Sequence, residues 1–397
     1  MVDEVPPWLR ANFNAAGQLV DLVAVEAARG RNVGRGALTS NFPERFVRRA
    51  VISDIARNGA GIRQFGHQVA RVLSDIKPEA VVTLGWSGAK NLAALCWCAA
   101  NRVASIVATD TNEHDFRRTW WKEAVKRKVV RLYSAGWAAG SLSARYLLRL
   151  GMARERIVVG PVDTIDVSHF EKGAAEARRS PTQSRRDLGV PDEYFLAVSR
   201  FAPEKNLFNL IEAYRTYRER AGAAAWKLVL VGDGPMMRAV RRRIGDLHLE
   251  GWAHLPGWVT FEKLPAYYGL AGAFVHASTR DTWGVVVNEA MAAGLTVIVS
   301  RRCGSAPELV RDGCHGFTFD PSDAAGLAEL LYEVAHGKCD RAALGRTSFD
   351  TIQGWTPVTY AKSLVEAVHV AMNNSPPPLE LSDRVLVSCL MYLHSRV

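Results

Sequence analysis

Short apolar runs and helical repeats alternate along almost the whole chain. Apolar, β-rich runs at 19–25, 80–84, 104–109 and 157–159 predict strands in the first half. Runs at 194–199, 227–231, 273–277 and 296–300 predict strands in the second half. Between them, residues 207–220, 235–246 and 284–293 carry helical patterns. Strands apolar on both faces and joined by helices predict an α/β fold with parallel sheets covered on each side. Ligands of such sheets bind beyond the carboxyl ends of the strands.

A chain of 397 residues exceeds one ordinary core and predicts two domains. The polar, small and basic stretch 171–189, with Pro181 in its middle, reads as a linker, and 373–382 reads as a second break. The expected division is 1–180, 190–354 and a C-terminal segment 355–397. The chain opens "MVDEVPPWLRANFNAAGQL", so its first strand is expected only near Leu19. It shows no internal repeat.

Charge changes this picture in one respect. Residues 1–190 hold 29 Lys/Arg against 18 Asp/Glu, whereas residues 191–397 hold 21 against 22. The first half is therefore expected to face something anionic. Residues 117–131, bounded by Arg117 and Arg131, concentrate this charge with Trp120 and Trp121. That helix reads either as a solvated basic face or as a contact for an anionic membrane surface. No nucleic-acid-binding motif accompanies it, so nucleic acid is not expected as a partner. No positively charged stretch followed by an apolar run opens the sequence, so no secretory signal is expected, and the apolar runs fall short of the ~20 residues of a membrane span. Six cysteines with only one C-x-C pair read as reduced thiols in a cytoplasmic protein, and no metal site is expected.

The chemistry concentrates in "DTWGVVVNEAMAAGLTVIVS", which begins at Asp281. A helix starting near Gly284 leaves the N–H groups of Gly284, Val285 and Val286 free to cradle an anion. Asp281 lies before that cradle and Glu289 lies inside the helix, in an apolar setting where a carboxylate needs a partner. An acid on each side of an anion site suits a diphosphate with a polyol at each end. The stretch "AVSRFAPEKN" places Arg200 and Lys205 just past a strand, where cations suit the same diphosphate. In "LVGDGPMMRAV", Gly232-Asp233-Gly234 forms a turn before a helix. Met237 holds the last glycine position of a dinucleotide fingerprint, so NAD is not expected.

In this order and spacing, "SRFAPEKN", "LVGDGP", "DTWGVVVNEAMAAGLTVIVS" and "CGSAPELVRDGCHGF" resemble the donor-binding domain of GT4-type retaining glycosyltransferases. The resemblance covers residues 190–336. Looser similarity to surface-polysaccharide members extends through "DTNEHDFRRTWWKEAVKRKVV" and "SARYLLRLGMARERIVVGPVDTIDVSHF". It implies a GT-B fold, two Rossmann-like domains with parallel sheets facing a central cleft, and a C-terminal helix crossing back to the first domain. It implies a nucleotide-diphosphate sugar as donor, no separate cofactor, and a glycan or lipid-linked acceptor. By position it makes Glu289 the ribose-binding acid and Asp281 the acid facing the transferred sugar. Arg200, Lys205 and the Gly284 and Val285 N–H groups would grip the diphosphate, with Gly232 lining the donor site. Asp110 and His114, after a first-domain strand, would face the cleft. The family's E-x7-E is D-x7-E here, one methylene shorter. That departure and the missing first strand keep a second expectation open, a non-catalytic GT-B scaffold binding a sugar nucleotide or a partner protein. Another GT-B enzyme, such as a sugar-nucleotide epimerase, is a third.

Overall fold

Every strand pairing among the described residues is parallel, as runs apolar on both faces require. The computed structural model describes all residues except 3–4, 6, 29–43, 53–58, 117, 338, 375, 377 and 395–397. Arg117, the first residue of the basic stretch, thus lies outside the described residues. The chain divides into two units, one made of Met1–Thr164 with Pro357–Val397 and the other of Ile165–Thr356.

In the first unit, β1 (Val23–Ala28) pairs with β2 (Val47–Ile52). A second sheet runs β3-β4-β5-β6, formed by β3 (Ala80–Leu84), β4 (Ala104–Thr109), β5 (Ala135–Ala138) and β6 (Ile157–Val159). The expected strand near Leu19 begins at Val23 instead, and Leu19 is exposed. Met1 and Val2 link the two sheets: Val2 bridges Glu26 of β1, and the Met1 amine donates to the Val82 carbonyl of β3 at 2.7 Å.

The helix Pro357–Met372 packs on β4, β5 and β6, where Trp137 Nε1 donates to Ser363 Oγ at 2.7 Å. Beyond the second break the chain forms a further helix, Leu381–His394. It lays Val387 in the core of the first unit and packs on the helix Ala89–Asn101.

The second unit holds one six-stranded sheet in the order β12-β11-β10-β7-β8-β9. Its strands are β7 (Tyr194–Val198), β8 (Lys227–Val231), β9 (Ala253–Gly257), β10 (Ala273–His276), β11 (Val297–Ser300) and β12 (Gly316–Phe319). From the adjacent pair β7 and β10 the chain order runs outward in both directions. The carboxyl ends of these two strands therefore open a crevice at a topological switch point. The edge strands β9 and β12 are partly half-buried, and β9 contains Pro256, so neither carries the continuous apolar run of the central strands.

Residues 171–189 are not a linker. They form the helices Val167–Arg179 and Pro181–Leu188 of the second unit. Val167, Phe170, Ala174 and Ala177 are buried at helical spacing. Gly269 lets the helix Leu264–Leu270 approach the Ala174 backbone, where a Cβ would stand 2.7 Å from it. Small residues at the contact make a tight helix pair out of a sequence poor in large apolar side chains.

Candidate active site

Two loops cross the switch point. The first follows β7 as Ser199 to Asn206, and the second follows β10 as Ala277 to Gly284. Backbone and side-chain bonds join them: Thr279 N–H donates to the Glu204 carbonyl at 2.9 Å, and Asn206 Nδ2 donates to the Ala277 carbonyl at 3.1 Å. Asn206 adopts φ +56, the left-handed geometry that Asn tolerates, and so turns the chain into the helix Leu207–Ala221.

The joined loops bring Lys205 and Asp281 together, with Lys205 Nζ 2.6 Å from Asp281 Oδ2. The same oxygen lies 2.9 Å from Nε2 of His276, the last residue of β10. Burial pushes the Asp281 carboxyl up, but hydrogen bonds and charge from His276 and Lys205 prevail and bring its pKa down to about 2. Burial likewise pulls the His276 imidazole down, and the Cys303 sulfur and the Asp281 carboxylate outweigh it, raising its pKa to about 9. The site therefore holds a carboxylate between two cations at neutral pH.

The helix Val285–Ala292 starts at Gly284, whose φ of +87 suits glycine alone. Val287 N–H is the first to bond back, to the Gly284 carbonyl at 2.9 Å, so the preceding N–H groups remain directed out of the helix start. A Cβ on Gly284 would lie 2.6 Å from Cys303 Sγ and 3.5 Å from His276 Nε2. The turn after β11 supports this start. Gly304 N–H donates to the Asp281 carbonyl and Ser305 N–H to the Trp283 carbonyl, both at 2.9 Å.

Glu289 is buried inside the helix, as its apolar surroundings require, and its partner is the Tyr268 hydroxyl at 2.7 Å. Burial raises its pKa to about 7, with the Tyr268 hydrogen bond acting in the opposite direction. Arg200 is exposed in the first loop. Its guanidinium has no hydrogen-bond or ion-pair partner among the described residues. Gly232, at φ +135, is needed because any Cβ would collide with the Ser199 carbonyl. The Gly-Asp-Gly turn thus buttresses the Arg200 loop, and the Asp233 carbonyl accepts from Phe201 N–H at 2.8 Å. Ser199 Oγ and Ser278 Oγ, one just past each central strand, are buried without a partner among the described residues. Unpaired hydroxyls at this point suit an anionic ligand or water.

The structure thus unites Arg200, Lys205, Asp281, Gly284, Val285 and Glu289 on the loops and helix around one crevice, with Gly232 behind them. Asp110 and His114 belong to the other unit, in the loop after β4. The Asp110 carbonyl accepts from Ser143 Oγ there, and His114 is exposed beside Glu113. The buried acid of that loop is Asp115, which burial raises to about pKa 6 against the lowering hydrogen bonds from Asn112.

Sequence patterns missed His276, Tyr268 and Cys303. A histidine ending an apolar strand five residues before an acid was the available signal for the first. Nothing local marks the other two.

Residues 182–350 match the family described as Glycosyl transferases group 1. A GDP-mannose-dependent alpha-(1-6)-phosphatidylinositol monomannoside mannosyltransferase of Mycobacterium tuberculosis is 26% identical over 336 residues, covering 79% of this chain and 85% of its own. The putative colanic acid biosynthesis glycosyltransferase WcaL of Escherichia coli is 28% identical over 51% of this chain and 48% of its own. Among solved structures, Anabaena HepE in complex with UDP and glucose superposes with a TM-score of 0.70 at 18% identity, over 92% of this chain and 97% of its own. A glycosyltransferase from Rickettsia africae superposes with a TM-score of 0.73 at 15% identity, over 94% and 98%. Residues 182–350 thus match a group 1 glycosyltransferase domain, and the chain has the GT-B fold and is similar to bacterial glycosyltransferases of glycolipid and polysaccharide synthesis.

Proposed function

We propose that the chain is a retaining glycosyltransferase that moves a sugar from a nucleotide-diphosphate sugar to a polysaccharide or lipid-linked acceptor. The observation that carries this reading is the order Asp281, helix start, Glu289 at the switch point, with Lys205 held at the same place. In this reading the diphosphate sits at the Gly284 and Val285 N–H groups, Glu289 accepts from ribose hydroxyls and Asp281 faces the sugar. As the sugar–phosphate bond breaks, Arg200, Lys205 and the helix start meet the charge growing on the leaving diphosphate. The acceptor oxygen then bonds to the anomeric carbon, and its proton passes to the departing phosphate oxygen. The donor is the one small molecule this chemistry calls for.

The location we propose is the inner face of the cell membrane, reached from the cytoplasm. No described helix is long and apolar enough to cross a membrane. On the helix Trp120–Arg131, Trp120 is 84% exposed and Trp121 53%, beside exposed Lys122, Arg127 and Lys128. Exposed tryptophan among cations suits the head-group region of an anionic bilayer.

A thermal-shift screen of UDP-, GDP- and ADP-sugars tests the donor. GDP-mannose comes first because the Mycobacterium relative's name specifies it. Stabilisation by one sugar nucleotide, followed by its consumption with a lipid extract, is the expected result. Binding without transfer would mark a scaffold, and no binding at all would end the proposal. Asp281→Glu adds a second arm. An enzyme fitted around the shorter acid should lose about a hundredfold in transfer from a ~1 Å misplacement, whereas a decayed scaffold should be unaffected or gain activity.

A further inference from the structure

His276 lies at the end of β10 with 3% of its surface exposed, its ring parallel to that of Phe274. Its Nε2 and Lys205 Nζ both reach Oδ2 of Asp281, at 2.9 and 2.6 Å. The other oxygen, Oδ1, has no partner among the described residues. A carboxylate bonded through one oxygen to donors from the end of β10 and from the loop after β7 cannot turn about its Cβ–Cγ bond. Its second oxygen is therefore fixed in direction. Gly284 closes the box around the imidazole, because any side chain there would meet Cys303 Sγ first and His276 Nε2 next.

We propose that His276 is a positioning residue for the donor sugar. Together with Lys205 it clamps Oδ2 of Asp281, so that Oδ1 is presented to a sugar hydroxyl beside the anion site. The inference rests on the glycosyltransferase reading above and adds to it the group that makes an aspartate serve where the family's longer acid is usual. The side chains facing the ring are Asp281 from the loop after β10, Cys303 from the turn after β11 and Phe274 from β10 itself. Lys205 meets it through the shared oxygen. With its pKa raised to about 9, His276 is an imidazolium through neutral pH, and Nε2–H donates to Asp281. Deprotonation weakens the clamp without removing it, since a neutral ring can keep the Nε2 proton.

The experiment compares wild type with His276→Gln, which keeps an N–H donor at similar reach but does not titrate, and His276→Leu, which has no donor. Steady-state transfer is followed from about pH 6 to about pH 10, together with the Kd of the nucleoside diphosphate lacking the sugar. Wild-type kcat should fall through about pH 9. H276Q should retain transfer and lose that fall. H276L should lose about tenfold or more in kcat, with nucleoside-diphosphate Kd changed by less than about twofold. An unchanged kcat in H276L, or a Kd that worsens in step with kcat, would overturn the inference. Should H276L not fold, nitrogen NMR of the wild-type ring decides. A ring titrating near the ordinary histidine value, or one unmoved by Asp281→Asn, overturns the clamp. That measurement needs no substrate, so a wild type that binds no sugar nucleotide refutes the functional reading while the clamp is still judged by itself.

Discussion

Lys205 and Asp281 stand 76 positions apart in the chain and 2.6 Å apart in space, joined across the carboxyl ends of β7 and β10. Their contact marks the place where the sheet changes direction, and with His276 it makes Asp281 the most heavily bonded acid of the site.

Asp281→Asn should therefore be costly to stability. It leaves buried His276 and half-buried Lys205 without their shared carboxylate, a loss of about 3 kcal/mol near neutral pH. The sign of the pH dependence follows from the two shifts. The raised His276 pKa contributes fully below the unfolded imidazole value and is lost as pH rises through about 9. The lowered Asp281 pKa contributes above the unfolded carboxylate value and is lost as pH falls through about 2. Denaturant titrations should thus give the largest wild-type advantage between about pH 4 and about pH 6.5, shrinking toward both extremes. An advantage independent of pH would show that His276 and Asp281 do not interact as charges.

Gly284→Ala tests the helix start. The substitution meets both a left-handed backbone and the Cys303 sulfur, so it should destabilise by about 2 kcal/mol or more and weaken donor binding. Gly313→Ala is the matched control. Gly313 has φ +73, but its Cβ would enter open space, and only the backbone cost of roughly 1 kcal/mol should appear. Equal effects of the two substitutions on melting would mean that the Gly284–Cys303 contact carries nothing.

Glu289→Gln should stabilise the unliganded protein at alkaline pH. A folded pKa near 7 against about 4.5 unfolded means that stability falls as pH rises between those values. Above pH 7 the wild type bears a penalty of about 3 kcal/mol that glutamine removes. Donor hydroxyls that bond the ionised acid should reverse this. Sugar-nucleotide affinity should rise with pH through 7 in wild type and stay flat in the variant, as calorimetry at about pH 6 and about pH 8 would show. Flat affinity in wild type would place Glu289 outside the donor site.

The triple variant of Lys122, Arg127 and Lys128 to Gln should abolish sedimentation with anionic vesicles, at about 1 kcal/mol per charge. Lys126 is left in place because it is bound to Glu123 at 2.8 Å and to the Tyr146 hydroxyl at 3.1 Å. Wild-type protein that stays in the supernatant at low salt would remove the membrane from the proposal.

Much of this protein could be read along the chain because the signals were local. The run 194–199 became β7 and the run 227–231 became β8, since strands buried on both faces must be continuously apolar. Gly284 announced a helix start because it closes the turn Asp281-Thr282-Trp283 before a helical run, and it adopts the positive φ that glycine favours. Arg200, Lys205, Asp281 and Glu289 lay in segments whose turn and helix patterns already placed them past strand ends. Other elements had no such signal. The strand β9 carries a proline and half-exposed side chains. Residues 171–189 looked like a linker because Phe170, Ala174 and Ala177 show their value only against the Leu264–Leu270 helix.

The sequence by itself determined the periodicities, and through them the parallel sheet and the residue types at its strand ends. Only the tertiary structure decided which strand ends are neighbours. Pairing β7 with β10 is what sets Lys205 on the Asp281 oxygen that His276 also reaches, and packing of the helix Leu264–Leu270 against Val285–Ala292 gives buried Glu289 its partner in Tyr268. These contacts join residues from separate loops and helices. The forces that select them, burial of a charge and satisfaction of its lone pairs, act through space and leave no period along the chain.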